Sequence, residues 1–324
     1  MARVRNVCVV GLGLIGGSVL RAACRAGRTA WGAAASTEDV AAAAAEGFEV
    51  GEDLGAALRK AAERDALVVL AVPLTALDGV LAAVREHAPR CLLTDVISVK
   101  RPVVDRVAEL APQARYVAGH PMAGAARSGW HAAHAGLFDG AVWVVCVERH
   151  TNLELWAEVA GLALEAGAEV VPASATEHDA AVARVSHLPH LLAAVLATVG
   201  AKGGPLALAL GAGSFTDGTR VAASRPELTR AMTEGNREAL LTALDEALGL
   251  LGAARGALAS TGSLRATIEA GHEGAMAFSA ARSAERAGLR IDLTAPDAVT
   301  ALQGLAQQGG RITAVDGTGA TGSL

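Results

Sequence analysis

Apolar positions divide the chain into two regimes. Up to residue 173, short apolar runs alternate with amphipathic stretches. Val7–Val10, Thr29–Gly32, Ala66–Val72, Cys91–Val96, Arg115–Ala118 and Ala141–Val147 read as strands, with Val170–Pro172 as a last one. Ala66–Val72 is apolar at every position, the pattern of a strand buried on both faces, and Pro73 ends it. Gly17–Cys24, Ala76–His87, Pro102–Leu110 and Leu153–Ala166 carry helical patterns between the strands. Strand–helix alternation of this kind predicts an α/β fold with a doubly wound parallel sheet over residues 1–173.

From Ser174 the pattern becomes helical throughout. Ser174 with Glu177, and Ser224 with Glu227, have capping-box spacing, and Pro226 falls in the first turn of the second. Glu177–Val199, Pro205–Leu210 and Asn236–Leu258 are Ala/Leu-rich and apolar on more than one face. Such helices need more partners than one small domain supplies, so residues 174–300 are expected to form an all-helical domain that dimerises. Leu188–Val199 is too short to span a bilayer and carries His190, so a core or subunit-interface helix is expected there. The glycines and small polar residues over 301–324 predict a flexible tail.

Composition narrows the class. The chain has 324 residues, 52% hydrophobic and 19% charged, which favours a sizeable core and argues against global disorder. Aromatics make up only 3%, so Ala, Val and Leu must fill that core. A net charge of -5 with both signs interspersed shows no nucleic-acid footprint. Lysine occurs only at Lys60, Lys100 and Lys202, which reads as compositional bias. Cys8, Cys24, Cys91 and Cys146 form no C-x-x-C pair, and three of them sit in apolar runs, as for thiols in a reducing cytoplasm. The first strand starts within a few residues of Met1, so no cleaved leader is expected.

The chemistry starts at VCVVGLGLIGGS, Val7–Ser18. Gly11, Gly13 and Gly16 follow a strand and open a helix in G-x-G-x-x-G spacing, the arrangement of a Rossmann-type dinucleotide site. Gly11 permits the tight turn, Gly13 admits a pyrophosphate, and Gly16 allows close helix–strand packing. Leu14 and Ile15 start the helix whose free N–H groups face the anion. After the second strand, Ala34 stands where an acid would meet the adenosine ribose. No acid precedes Glu38 and no arginine is at hand for a 2′-phosphate, although Ser36 and Thr37 offer hydroxyls. The cofactor's phosphate state is therefore left open. Val72, which ends the third strand-like run, and Pro73 just after it complete the expected cofactor contacts.

Four further stretches carry candidate chemistry. In TDVISVK, Ser98 follows a strand at the sheet's carboxyl edge, either as a helix cap before Pro102 or as a site residue. In GHPMAG, His120 lies between Gly119 and Pro121, where a loop gives it little packing, and it is suited to act as the base in an alcohol oxidation. In SHLPH, His187 and His190 share a helix face beside Pro189, which predicts a kink. No third ligand of suitable spacing accompanies them, so core histidines are favoured over a metal pair. In SFTDGTRVAASRPE, Arg220 is suited to clamp a carboxylate, or pairs with Asp217, or both.

Taken in order, VVGLGLIGGS, TDVISVK, GHPMAG, EHDAAVARVSHLPH and FTDGTRVAAS resemble the prephenate and arogenate dehydrogenase family of tyrosine biosynthesis. They span Val9–Ser224, across both proposed domains. The resemblance implies a dinucleotide-binding domain followed by a helical dimerisation domain, a homodimer, and NAD(P) as cofactor with NAD favoured. It implies that His120 takes the proton of the substrate's ring hydroxyl. Ser98 would lie beside the nicotinamide and orient His120, Arg220 would hold a substrate carboxylate, and His187 would assist binding. The substrate would be prephenate, giving 4-hydroxyphenylpyruvate, or arogenate, giving tyrosine. Ile97 stands where the family usually has glycine, and Thr216 where it usually has arginine. A related dehydrogenase or imine reductase, and a non-enzymatic NAD(P)-binding sensor, are the alternatives. The first does not predict GHPMAG or Arg220 in these places, and the second would tolerate loss of His120.

Overall fold

The computed structural model describes residues 5–125 and 127–324. The chain forms two compact units, Met1–His178 with Ala287–Leu324, and Asp179–Arg286. The helical unit is thus an insertion; its limits at 178/179 and 286/287 lie near the domain boundaries expected at 173/174 and 300/301.

The first unit opens with β1 (Asn6–Val10), α1 (Leu14–Arg25), β2 (Thr29–Ala33), α2 (Thr37–Ala45), β3 (Val50–Gly51), α3 (Leu54–Glu63), β4 (Leu67–Leu70), α4 (Leu77–His87), β5 (Leu92–Asp95), α5 (Arg101–Leu110) and β6 (Arg115–Val117). Its six strands pair in the order β3-β2-β1-β4-β5-β6, all parallel. Val7 and Val9 pack into one apolar cluster while Cys8 and Val10 pack into another, so the sheet is covered on both faces. This explains its unbroken apolar strands.

The later strands do not extend that sheet. After Val117 the chain crosses to a second one, through β7 (Gly119–Pro121), β8 (Val142–Val145), α6 (Leu153–Glu165) and β9 (Glu169–Val171). β8 and β9 are parallel, whereas β7 runs antiparallel to β8 at the sheet's edge. α7 (Ala175–Val182) follows.

The second unit comprises a π-helical turn (Ala183–His187), α8 (Leu188–Lys202), α9 (Gly204–Ala209), α10 (Gly213–Thr219), a 3-10 turn (Arg220–Ala223), α11 (Pro226–Gly235), α12 (Arg237–Thr261) and α13 (Arg265–Ser283). Pro189 lacks the N–H that would bond the carbonyl four residues back, and a π-helical turn stands immediately before its helix. Helix continues from Ala175 to Lys202, a few residues beyond the expected Glu177–Val199 at each end, and by length and composition alone it is long and apolar enough to cross a membrane. It buries His178, Asp179 and His187, polar side chains that suit a helix packed in protein. Large apolar side chains including Val199, Leu206, Leu250 and Phe278 are exposed on this unit.

The chain then returns to the first unit as β10 (Gly288–Asp292), α14 (Ala298–Gln307), β11 (Arg311–Asp316) and β12 (Gly319–Ser323), completing the order β10-β12-β11-β9-β8-β7. The expected flexible tail is therefore an ordered helix and hairpin. Ile312, Ala320 and Leu302 are fully buried. The glycines mark close packing: a Cβ on Gly322 would lie 2.3 Å from the carbonyl oxygen of Arg311.

Candidate active site

Strand register gathers the expected cofactor residues at one edge. Val10 is level with Ala33 and Leu70, and Leu70 with Asp95. The segments that follow these strands hold Gly11, Ala34, Val72, Pro73 and Ser98, so all lie at the sheet's carboxyl edge. Gly11 has φ +100°, and a Cβ there would lie 2.3 Å from the Ala71 carbonyl oxygen. A Cβ on Gly16 would lie 1.9 Å from the Gly11 carbonyl oxygen, so the turn tolerates no side chain at either position. Gly13 has open space beside it and is the N-cap of α1, where no side chain caps the helix and no acid occupies the first turn. Leu14 and Ile15 are half-buried in that turn. An open cradle under a bare helix N-terminus fits a dinucleotide pyrophosphate. Ser36 is exposed, and its hydroxyl accepts from the Asp39 N–H at 3.2 Å as the N-cap of α2.

Ser98 is half-buried on the loop between β5 and α5. A buried ion pair shapes that loop. Lys100, with no exposed surface, donates to Asp95 Oδ1 and to the Gly119 carbonyl oxygen, the latter at 2.5 Å. Asp95 accepts further bonds from the Ile97 N–H (2.8 Å) and the Tyr116 hydroxyl (2.5 Å). Burial, then the Asp95 charge, push the Tyr116 phenol well above its ordinary range. Gly119 is thereby tied to the Ser98 loop, and a Cβ on it would press to 2.9 Å from the Asp95 carbonyl oxygen. Lys100, read from composition as mere bias, is thus a structural clasp. Its sequence signal was a rare lysine closing the TDVISVK stretch.

His120 is half-buried on the edge strand β7, not on a loop. Its Nδ1 lies 2.8 Å from Nε2 of His178, which is 2% exposed. Sequence reasoning missed His178. The capping box at Ser174 aims it: Ser174 N–H and Oγ both donate to Glu177 Oε2, and Ser174 Oγ accepts from the Glu177 N–H at 3.2 Å. Gln307 of α14 donates to Glu177 Oε1 at 2.7 Å, so the returning chain braces this turn.

In the helical unit, His187 is 1% exposed, its Nδ1 3.1 Å from Nδ2 of Asn236, which also donates to the Asp179 carbonyl oxygen. His190 Nδ1 lies 2.8 Å from the Ser186 carbonyl oxygen of its own helix. Among the described residues no group of three His, Cys, Asp or Glu could hold a metal ion. Arg220 opens the 3-10 turn that packs on α8; it is exposed, and it forms no ion pair with Asp217. Burial pushes the Cys8 and Cys91 thiols up to about 12, leaving both inert.

A glycine turn under a bare helix end, at the carboxyl edge of a doubly wound parallel sheet, defines a Rossmann-type dinucleotide-binding protein. Comparison with known proteins narrows this. The family model for the nucleotide-binding domain of prephenate dehydrogenase matches residues 17–172, and that for its dimerization domain matches 174–261. The chain belongs to the prephenate dehydrogenase family, enzymes of tyrosine biosynthesis. It is 32% identical over 251 residues to the prephenate dehydrogenase of Bacillus subtilis, covering 74% of this chain and 67% of that protein. It is 34% identical over 269 residues to the cyclohexadienyl dehydrogenase of Zymomonas mobilis, covering 79% and 89%. A crystal structure from Corynebacterium glutamicum, provisionally described as a prephenate dehydrogenase, has TM-score 0.90 and 45% identity over 96% of this chain and 99% of that one.

Proposed function

We propose that the protein oxidatively decarboxylates prephenate to 4-hydroxyphenylpyruvate, with NAD+ preferred over NADP+. The observation that carries this is the clasp through Lys100, which ties the Ser98 loop to the strand bearing His120. When bound, NAD+ would supply the hydride acceptor for oxidation of the ring's carbinol carbon. His120 takes the hydroxyl proton as the ketone forms, and Ser98 helps orient it. The ring carboxylate leaves as carbon dioxide and the ring becomes aromatic, a strongly downhill change that needs alignment and one base. Arg220 holds a substrate carboxylate with its guanidinium fork, and His187 assists binding. Gly11, Gly13, Leu14, Ile15 and Gly16 cradle the pyrophosphate, with Val72 and Pro73 beside the dinucleotide. Glu38 and Asp39, in the first turn of α2 after Ala34 and Ser36, oppose a 2′-phosphate and favour NAD+.

Arogenate is the second reading, supported by 27% identity to a Synechocystis arogenate dehydrogenase structure of TM-score 0.72. Offering the protein prephenate or arogenate with each cofactor, and following reduced nicotinamide, tests both. Turnover of prephenate with NAD+ is expected to be fastest. No reduced cofactor from either substrate would overturn the assignment.

The apolar side chains exposed on the helical unit are covered by a second copy of the chain, in an interface of the large, apolar, obligate kind. Light scattering at micromolar concentration is expected to give the dimer mass, and a monomer mass would refute the pairing.

A further inference from the structure

The contact between His120 and His178 has a chemical consequence. At 2.8 Å, one of the two facing nitrogens carries a hydrogen and the other accepts it; two hydrogens would collide. If His178 were the donor, a neutral His120 would keep its own hydrogen on Nε2 and could accept nothing there. If His120 is the donor, its lone pair lies on Nε2, the nitrogen that can then take a proton. The bond also changes strength as a proton arrives. A neutral His120 makes an ordinary hydrogen bond, whereas an imidazolium donates a charge-assisted one to the same nitrogen, roughly twice as strong. An interaction that tightens as charge develops lowers the barrier instead of merely binding the ground state.

We propose that His178 is a positioning residue: it holds His120 in the tautomer with hydrogen on Nδ1, leaving Nε2 as the base, and steadies the imidazolium that forms. This rests on the reading of His120 as the base. His178 is suited to the task because it is 2% exposed and its turn is fixed by the capping box. Water therefore competes little for its Nε2, and the ring has little freedom to swing away.

The experiment combines kinetics with imidazole nitrogen resonances. His178→Gln places an amide near the position of Nε2 and can still accept from His120, whereas His178→Leu cannot. His178→Leu is expected to lower kcat by roughly 10- to 100-fold, the worth of a charge-assisted hydrogen bond, with KM and NAD+ affinity unchanged. His178→Gln is expected to restore most of kcat. In the unmutated protein with 15N-labelled histidine, the signal missing from His120→Asn is expected to report the tautomer with hydrogen on Nδ1. This measurement holds even if His178→Leu folds poorly. A His120 hydrogen on Nε2, or full kcat in His178→Leu, would overturn the proposal. Loss of kcat in His120→Asn alongside full kcat in His178→Leu rejects only the role of His178. Full kcat in His120→Asn rejects the base itself.

Discussion

The Lys100 ammonium lies 2.5 Å from the carbonyl oxygen of Gly119, the residue before His120. Lys100 also closes an ion pair with Asp95, and both side chains are wholly buried. The loop bearing Ser98 and the strand bearing His120 are thus held by one cation. Removing it strands a buried carboxylate. Lys100→Met is expected to cost about 3–5 kcal/mol of stability. Lys100→Met with Asp95→Asn should cost less than the two single changes added together, because neither charge is then orphaned. Urea denaturation of the four proteins measures this, and strict additivity would mean the pair is not coupled.

His120 and Arg220 should separate in kinetics. His120→Asn keeps a hydrogen-bonding side chain but no base, and is expected to lower kcat by roughly 10²–10⁴ with little change in KM. Arg220 holds a carboxylate present in ground and transition states alike, so Arg220→Ala should mainly raise KM. Arg220→Lys should recover only part, since an ammonium lacks the planar fork. Steady-state kinetics with prephenate decides. An Arg220→Ala enzyme with normal KM and depressed kcat would move Arg220 into the chemistry.

Cofactor choice should respond to Ala34, which is half-buried at the end of β2 with its N–H bonded to the Gly51 carbonyl oxygen at 3.2 Å. Ala34→Asp adds a carboxylate where a ribose 2′ substituent is expected. Use of NADP+ should fall about tenfold or more through like-charge repulsion, while use of NAD+ holds or improves. The ratio of kcat/KM values for the two cofactors is the readout. An unchanged ratio would place the adenosine pocket elsewhere.

Glu177 links stability to acidity. Its hydrogen bonds from Gln307 first, then from Ser174, hold its carboxyl below the ordinary carboxylate range. A carboxyl lowered by folding stabilises the protein above its unfolded pKa, and that contribution fades as pH falls through the folded value. Glu177→Ala should cost about 0.5–2 kcal/mol at neutral pH, the usual worth of a cap. The gap to the unmutated protein should begin to narrow below about pH 4, where the unfolded chain takes up its proton, and go on narrowing as the folded carboxyl does so at lower pH. Thermal melts across pH 3–8 follow it, and a gap that widens in acid would contradict the assignment.

Local signals in the chain were enough to determine much of this protein. Unbroken apolar runs such as Ala66–Val72 specify strands buried on both faces, and the Gly11, Gly13, Gly16 spacing specifies the turn between β1 and α1. The capping box at Ser174 marks where the helices begin. These features rest on interactions within a few residues, so the chain carries them openly. Tertiary structure decided the rest. Whether Val142–Val145 joins the first sheet or a second depends on pairing with strands far away in the chain. The glycines after residue 300 look like a flexible tail until Ile312 and Ala320 find a sheet to bury against. Lys100 acquires its task only from Gly119, nineteen residues later, and His178 only from His120, 58 residues earlier. A side chain's partner across space leaves no periodic trace in sequence, because the energy that selects it arises when the polar groups are taken out of water together.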